Sequence, residues 1–442
     1  MANKISRRTF TRTGAAAALA VQALRTPKLE ASRVLGANDR IRVGCIGVAN
    51  RGGQVMSAFM SHQDCEIVAL CDVFQPTLEK ANARLDNKAD TYEDFRKVID
   101  RDDLDAIVIA TPDHWHAIQT IDACNAGKDV YVEKPLSITI HEGRRMVEAA
   151  RRNKRVVQVG THRRSSALYE SLAKRTTAGE FGHIAVSRAY RVSNMAPTGI
   201  GRMQPTAPPP GLNWDLWLGP RPERPYQDNI APYKFRWWHL YSSQMGNWGV
   251  HYLDAIRWCT GELAPSSVCA MGGRFAVDDD RTIPDTLEAV FEFASGRLAI
   301  FGQYEASGNP PFPVGEIELR GTQGTVYVYP SGRGYEVEPE RGGQFQEPRD
   351  PRMAPEKVEA EGNNADLTAL HARNFLDCMR SREKPRADVE IGHRSTSFSL
   401  MANISLAVGE RLYWDAEKEQ FTGSEAANQM LHYEYRSPWK LG

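Results

Sequence analysis

From Ile41 to residue 159 the chain repeats one pattern: a short, nearly unbroken apolar run, a turn, then a stretch of helical length. Apolar runs occupy residues 41–46, 67–71, 106–110, 129–132 and 156–159. Between them, residues up to 61, then 76–85, 92–101, 116–126 and 140–152 read as helices. Strands rich in Val, Ile and Ala without polar alternation are buried on both faces, and intervening helices supply the cover. That combination predicts a parallel, doubly wound sheet of the dinucleotide-binding type. Such a sheet binds its ligand beyond the carboxyl ends of its strands, so the residues that follow each apolar run are the first candidates for chemistry.

After the first run comes Gly47-Val48-Ala49-Asn50-Arg51-Gly52-Gly53. The spacing Gly47-x-Ala49-x-x-Gly52 fits the dinucleotide fingerprint except at its centre, where Ala49 replaces the glycine that lets backbone approach a pyrophosphate. Gly47, Ala49, Asn50, Arg51 and Gly52 are therefore expected around the phosphates. Asp72 closes the second run, twenty residues past Gly52. A carboxylate there accepts hydrogen bonds from ribose hydroxyls and repels a 2′-phosphate, so NAD is expected and NADP disfavoured. Thr111-Pro112-Asp113-His114-Trp115-His116 follows the third run. Thr111 and Pro112 fall beside the cofactor. His114 and His116 either contact ribose or nicotinamide, or belong to a helix start capped by Asp113.

Glu133-Lys134-Pro135 ends the fourth run. A lysine at the mouth of a nucleotide crevice can hold a substrate hydroxyl and help remove its proton. The Lys134–Pro135 bond is a candidate for the cis form. Glu133 and Lys134 also fall on the cofactor side, and His162 and Arg163, just past the fifth run, on the substrate side.

Beyond Gly160 the alternation stops. A helix is expected over 167–177 and a strand over 184–192, followed by a Pro-rich loop at 205–210. Strands are expected over 267–275, 286–293, 298–304, 316–319 and 325–329, several separated by Gly-rich turns, which predicts a largely antiparallel sheet. Residues 342–362 read as a polar surface loop, and 367–381 and 393–412 as helices. Within Gly246-Asn247-Trp248-Gly249-Val250-His251-Tyr252-Leu253-Asp254, the polar residues Asn247, His251 and Asp254 share one helical face. His251 is suited to acid–base work at neutral pH, and Trp248 with Asp254 would join it on the substrate. The alternative is a helix start with Asn247 as cap. Six of the 9 tryptophans fall between Trp214 and Trp258, as packing over the sheet with one or two lining a site.

These motifs, together with Trp214-Asp215-Leu216-Trp217-Leu218-Gly219-Pro220, resemble the glucose–fructose oxidoreductase, inositol dehydrogenase and MocA family over roughly residues 40–440. The resemblance implies a Rossmann domain at 38–165 and, at 166–442, an α+β domain whose C-terminal helices pack back on the first. The open face of its mostly antiparallel sheet would make dimers or tetramers. It implies Lys134 as the family lysine and His251 as the catalytic histidine. Asn247 stands where the family often has Asp, as in exported relatives with Gly-Asn-x-Gly-x-His. An amide carries no charge and exchanges no proton. The implied activity is hydride transfer on a sugar, cyclic polyol or glycoside, with the cofactor free or tightly held. The rivals are a glycosidase that uses NAD as a transient hydride store, and a sugar-binding protein on the same fold.

Charge and cysteines narrow the class further. Fifty-five basic and fifty-five acidic residues give no net charge, and no long basic run offers a surface for nucleic acid or an anionic membrane. The 7 cysteines are scattered without Cys-x-x-Cys spacing, so neither a zinc site nor a disulfide framework is expected. Residues 1–37 read as a signal and linker: Ser6-Arg7-Arg8-Thr9-Phe10 precedes an Ala-rich run from Gly14 to Val21, too short for a permanent span. This resembles a twin-arginine signal, implying a periplasmic or otherwise exported protein with no membrane anchor once it is removed. Replacing both Arg7 and Arg8 with Lys should trap the precursor in the cytoplasm, and the mature chain should begin between Val21 and Asn38. Unchanged export on fractionation would point to another route.

Overall fold

The computed structural model describes residues 40–442 apart from 313, 348 and 361–365; the twin-arginine segment lies outside the described residues. Strands β1 (Ile41–Ile46), β2 (Cys65–Cys71), β3 (Asp90–Tyr92), β4 (Ala106–Ile109), β5 (Asp129–Val132) and β6 (Val157–Val159) form one parallel sheet in the order β3-β2-β1-β4-β5-β6. This is the doubly wound dinucleotide-binding order, with its switch point between β1 and β4. Register pairs Ile46 with both Cys71 and Ile109, Ile109 with Val132, and Val132 with Val159. The strands therefore end level, and Gly47, Asp72, Ala110, Glu133 and Gly160 form one continuous rim.

The second sheet contains β7 (Ile184–Asn194), β8 (Ser267–Gly273), β9 (Thr286–Phe293), β10 (Arg297–Tyr304), β11 (Ala306–Ser307), β12 (Ile317–Gly321), β13 (Gly324–Val328), β14 (Gly334–Pro339), β15 (Glu356–Glu359), β16 (Leu412–Asp415) and β17 (Gln420–Thr422). Its order is β15-β14-β13-β12-β7-β10-β9-β8-β16-β17, with β11 on β7, and only the β7–β10 pair is parallel. One face packs on the helices Ala167–Thr177, Val250–Thr260 and Val389–Val408 through buried Leu172, Ile256, Phe291, Phe301 and Phe398. Met271 and Tyr413 are exposed on this sheet. No helix among the described residues is long and apolar enough to cross a membrane.

The C-terminal helices return to the first sheet. Helix Leu367–Ser381 lies on helix Asn50–Met60, with the rings of Phe59 and Phe375 6.0 Å apart. Helix Val389–Val408 packs on helix Ile140–Arg152.

Several local expectations are corrected. Residues 92–101 are not one helix: β3 ends at Tyr92, and a short helix Phe95–Ile99 starts where the Asp94 side chain accepts from the Arg96 N–H. The last long helix starts four residues earlier than expected because Asp388 caps it, and it ends at Val408, before Gly409 turns left-handed. Leu412 instead opens β16. The polar stretch 342–362 contains edge strand β15, Glu356-Lys357-Val358-Glu359, whose single apolar residue hid its strand character.

Candidate functional site

The rim begins at Gly47, with φ +79°, where a Cβ would lie 2.7 Å from the Thr111 nitrogen. A Cβ on Gly52 would lie 1.9 Å from the Gly47 carbonyl oxygen. Both glycines are thus required for helix Asn50–Met60 to start hard against β1 and β4. No side chain caps that helix and no acidic residue lies in its first turn. Its free N–H groups form a site for an anion, so the turn fits a pyrophosphate even with Ala49 at its centre.

Asp72 lines the cavity beside this turn, with Phe74, Thr77, Thr111 and Pro112. Its carboxylate accepts from the backbone N–H groups of Val48 and Phe74, each at 3.0 Å, and burial raises its pKa. A second cavity of about 420 Å³ is lined by Glu133, Lys134, His162, Arg163, Asn247, Trp248 and His251. Asn50, Arg51, Ala110, Thr111 and Arg236 line both cavities, so they form one cleft. Arg51, His162, Arg163 and His251, which line this cavity, each keep one buried nitrogen without a hydrogen-bond partner. Buried polar atoms are ordinarily satisfied, so four such residues around one cavity suit a polar ligand.

Lys134 comes from the rim, and the Lys134–Pro135 bond is cis. Its Nζ donates to the backbone oxygen of Asn247 at 2.6 Å and to Asn247 Oδ1 at 2.9 Å. Asn247 sits in the π-helical turn Met245–Gly249 that leads into helix Val250–Thr260. Its Nδ2 donates to Gln244 Oε1 at 3.1 Å, and Gln244 Nε2 donates to Glu305 Oε1 at 2.6 Å. Glu305 also accepts from Trp237 Nε1 at 3.0 Å and from Arg281, which is fully buried and paired with Asp279. An ionised carboxylate can only accept, so Glu305 fixes the orientation of the Gln244 amide. Gln244 then fixes that of Asn247, whose carbonyl oxygen must face the lysine.

Burial lowers the Lys134 pKa to about 8, against the partial support of Glu133 and Asp113. Burial, then the positive charges of Lys134 and Arg163, push the His251 pKa well below its ordinary value. His251 is therefore neutral at neutral pH, with its ring 5.3 Å from that of His162. Glu133 accepts from Arg51 Nε at 2.9 Å, and Arg163 pairs with Glu316 at 2.7 Å while lying over the Tyr252 ring. The Arg191 guanidinium lies 3.9 Å from the centre of the Trp248 ring.

Three sequence candidates are placed elsewhere. Asp254 is buried against Arg164 at 2.9 Å and hydrogen-bonds Ser395, so it lines neither cavity. His114 Nε2 donates to the Trp217 carbonyl at 2.9 Å. Both ring nitrogens of His116 face carbonyl oxygens, those of Pro135 and Thr111. These histidines hold loops together. Asp113 does line the cleft, and it accepts from the Ser242 hydroxyl instead of capping a helix. Sequence reasoning missed Gln244, Glu305 and Arg236. Gln244 lay three residues before Asn247, a helical spacing that offered a signal, whereas Glu305 had none.

A cleft over an uncapped helix start at the switch point of a parallel sheet defines a dinucleotide-binding fold. The model for the oxidoreductase family with an NAD-binding Rossmann fold matches residues 41–161. The GFO/IDH/MocA C-terminal domain matches 217–327, and the oxidoreductase-family C-terminal alpha/beta domain matches 358–441. The chain belongs to the GFO/IDH/MocA family.

Among curated relatives, a glycosyl hydrolase family 109 protein of Shewanella sp. strain MR-4 is 34% identical over 125 residues, 26% of this chain and 27% of that protein. An alpha-N-acetylgalactosaminidase of Shewanella oneidensis is 32% identical over 123 residues, with the same coverage. The matches thus span about a quarter of the length of those relatives. Among solved structures, an aldose-aldose oxidoreductase from Caulobacter crescentus in complex with glycerol aligns with TM-score 0.64 at 17% identity, covering 85% of this chain and 99% of that one. The WlbA dehydrogenase of Bordetella pertussis, in complex with NADH and UDP-GlcNAcA, aligns with TM-score 0.63 at 21% identity and the same coverage. At these identities the likeness is one of fold.

Proposed function

We propose that the protein catalyses reversible hydride transfer between a nicotinamide dinucleotide on the Gly47 rim and a hydroxyl or carbonyl carbon of a sugar, cyclic polyol or glycoside. The carrying observation is Lys134: a half-buried amine with a pKa lowered to about 8, in one cavity with a neutral His251, continuous with the nucleotide cavity. An ammonium has three N–H donors, and the two oxygens of Asn247 take two of them. The third position is left for a substrate oxygen. When the amine is neutral, the same two contacts retain its hydrogens and leave its lone pair at that position. Lys134 then accepts the hydroxyl proton during oxidation and returns it during reduction. His251 holds the same oxygen through its free ring nitrogen, and Trp248, His162 and Arg163 hold the rest of the substrate. The bound nicotinamide supplies the hydride acceptor or donor.

NAD is the preferred cofactor in this reading, because Asp72 would meet a 2′-phosphate with a like charge. Export through the twin-arginine route, and a homodimer or homotetramer through the open face of the second sheet, complete the proposal. They rest on the Arg7-Arg8 pair and on exposed Met271 and Tyr413.

A second reading, a glycosidase working through a transient hydride shuttle, is favoured by the likeness to the family 109 proteins. It uses the same lysine and histidine on the same oxygen, so the two differ in whether a glycosidic bond breaks. Mixing the protein with free sugars and aryl glycosides in a single turnover separates them. Reduced nicotinamide that persists, or is discharged only by a second carbonyl compound, supports the redox reading. Aryl release without net reduction supports the glycosidase and overturns it. Under either reading, Lys134→Ala should lower turnover by about a hundredfold or more while NAD still binds. Near-normal turnover would remove Lys134 from the chemistry. Titration should also show NAD binding more tightly than NADP, with Asp72→Ala narrowing the gap. Equal affinities in the unmodified protein would contradict the role given to Asp72.

A further inference from the structure

The nucleotide cavity has a wall that the first sheet does not supply. Leu212, Leu216, Trp217, Phe235 and Arg236 line it from the aromatic segment of the second half of the chain. This segment is fastened along its length. The Gln75 N–H donates to the Gly211 carbonyl and the Asn213 N–H to the Val73 carbonyl, each at 2.9 Å, directly beyond Asp72. Further on, the Trp217 carbonyl accepts from both His114 Nε2 and Trp115 Nε1, at 2.9 and 3.1 Å. Gly219, with φ +53°, lies so close that a Cβ would sit 2.2 Å from the Trp115 ring.

The C-terminal tail fastens the same segment from outside. Trp439 meets Trp115 edge-on at 4.7 Å and stacks on Phe95 at 6.2 Å, and both of those rings line the cavity. Arg436 donates to the Gly219 carbonyl at 2.9 Å and pairs with Asp215 at 2.6 Å, while its own N–H reaches the Pro220 carbonyl. Arg221 lies over the Tyr433 ring at 3.8 Å. The tail therefore touches both the fixed wall and the added wall at one place.

We propose that segment 212–236 is a lid over the adenosine end of the bound dinucleotide, that residues 433–442 lock it shut, and that this lock sets how slowly the nucleotide leaves. The proposal rests on the nucleotide-binding reading of the cavity. Aromatic and aliphatic side chains enclose the adenosine from the side opposite β1 and β2. Arg236, which lines both parts of the cleft, brings a positive charge from the lid toward the Gly47 turn and the phosphates. A ligand held this way departs only when the lid opens, so its off-rate reports the lock rather than the direct contacts.

The test uses the full chain loaded with radiolabelled NAD and chased with unlabelled NAD, with the off-rate read by filter retention. Trp439→Ala should speed release about tenfold or more, the scale of losing one aromatic anchor, while Trp439→Phe stays near the unmodified rate. Asp215→Ala removes an exposed carboxylate and so leaves folding intact; it should speed release about threefold by removing one of the ties between Arg436 and the segment. Off-rates for Trp439→Ala and Asp215→Ala equal to that of the unmodified protein would overturn the lock and leave the nucleotide site standing. No retention of NAD by the unmodified protein would overturn the nucleotide reading, and the lock with it.

Discussion

The two hydrogen bonds from Lys134 Nζ to Asn247 join the two halves of the molecule at the point where chemistry is proposed. The lysine stands on the rim of the parallel sheet, and the asparagine belongs to the turn that opens the second domain's central helix. Hydrogen bonds to a charged group contribute about 1.5–3 kcal/mol each, but here they act mainly by limiting where the amine can point. Burial works against the charge of the ammonium and lowers its pKa to about 8. An aspartate at position 247 would raise that value again by adding a negative charge. The neutral amide therefore orients the lysine without restoring its basicity, and the Gln244–Glu305 chain behind it keeps the amide from turning over.

Enclosure has a second consequence. Burial displaces Lys134 and His251 toward their neutral forms; neighbouring cations add to it at His251, whereas Glu133 and Asp113 oppose it at Lys134. In the proposed reaction a lysine of this kind would take the hydroxyl proton near neutral pH, for a dehydrogenase and for a hydride-shuttle glycosidase alike. For this reason the geometry of the reacting groups supports both chemistries, and the fate of the glycosidic bond has to be read from products.

Much of the first domain was legible because its signals are local. Gly47 and Gly52 stand where any side chain would collide with backbone, and Lys134 follows a strand whose apolar run is unmistakable. Asn247, which meets Lys134, stood out as a departure from a family pattern. Glu305 and Arg281 were not legible, since they meet only when β10 and a loop from another hairpin converge under Gln244. His114 and His116 misled for the opposite reason. They occupy the right rim, yet their rings turn inward onto the carbonyls of Trp217, Pro135 and Thr111. Asp254 shared the expected helical face with His251, but Arg164 draws it into the interior. Periodicity assigns a face and does not reveal which neighbour waits there.

The central claim is that burial holds Lys134 as a weakly basic amine while the neutral Asn247 amide fixes where it points. Following the Lys134 resonance by nitrogen-detected NMR against pH, in protein with labelled lysine, tests it without reference to turnover. The account predicts a midpoint near the value of about 8, against 10.5 for an ordinary lysine, and an upward move in Asn247→Asp. A midpoint at the ordinary lysine value, unmoved by that substitution, would contradict it.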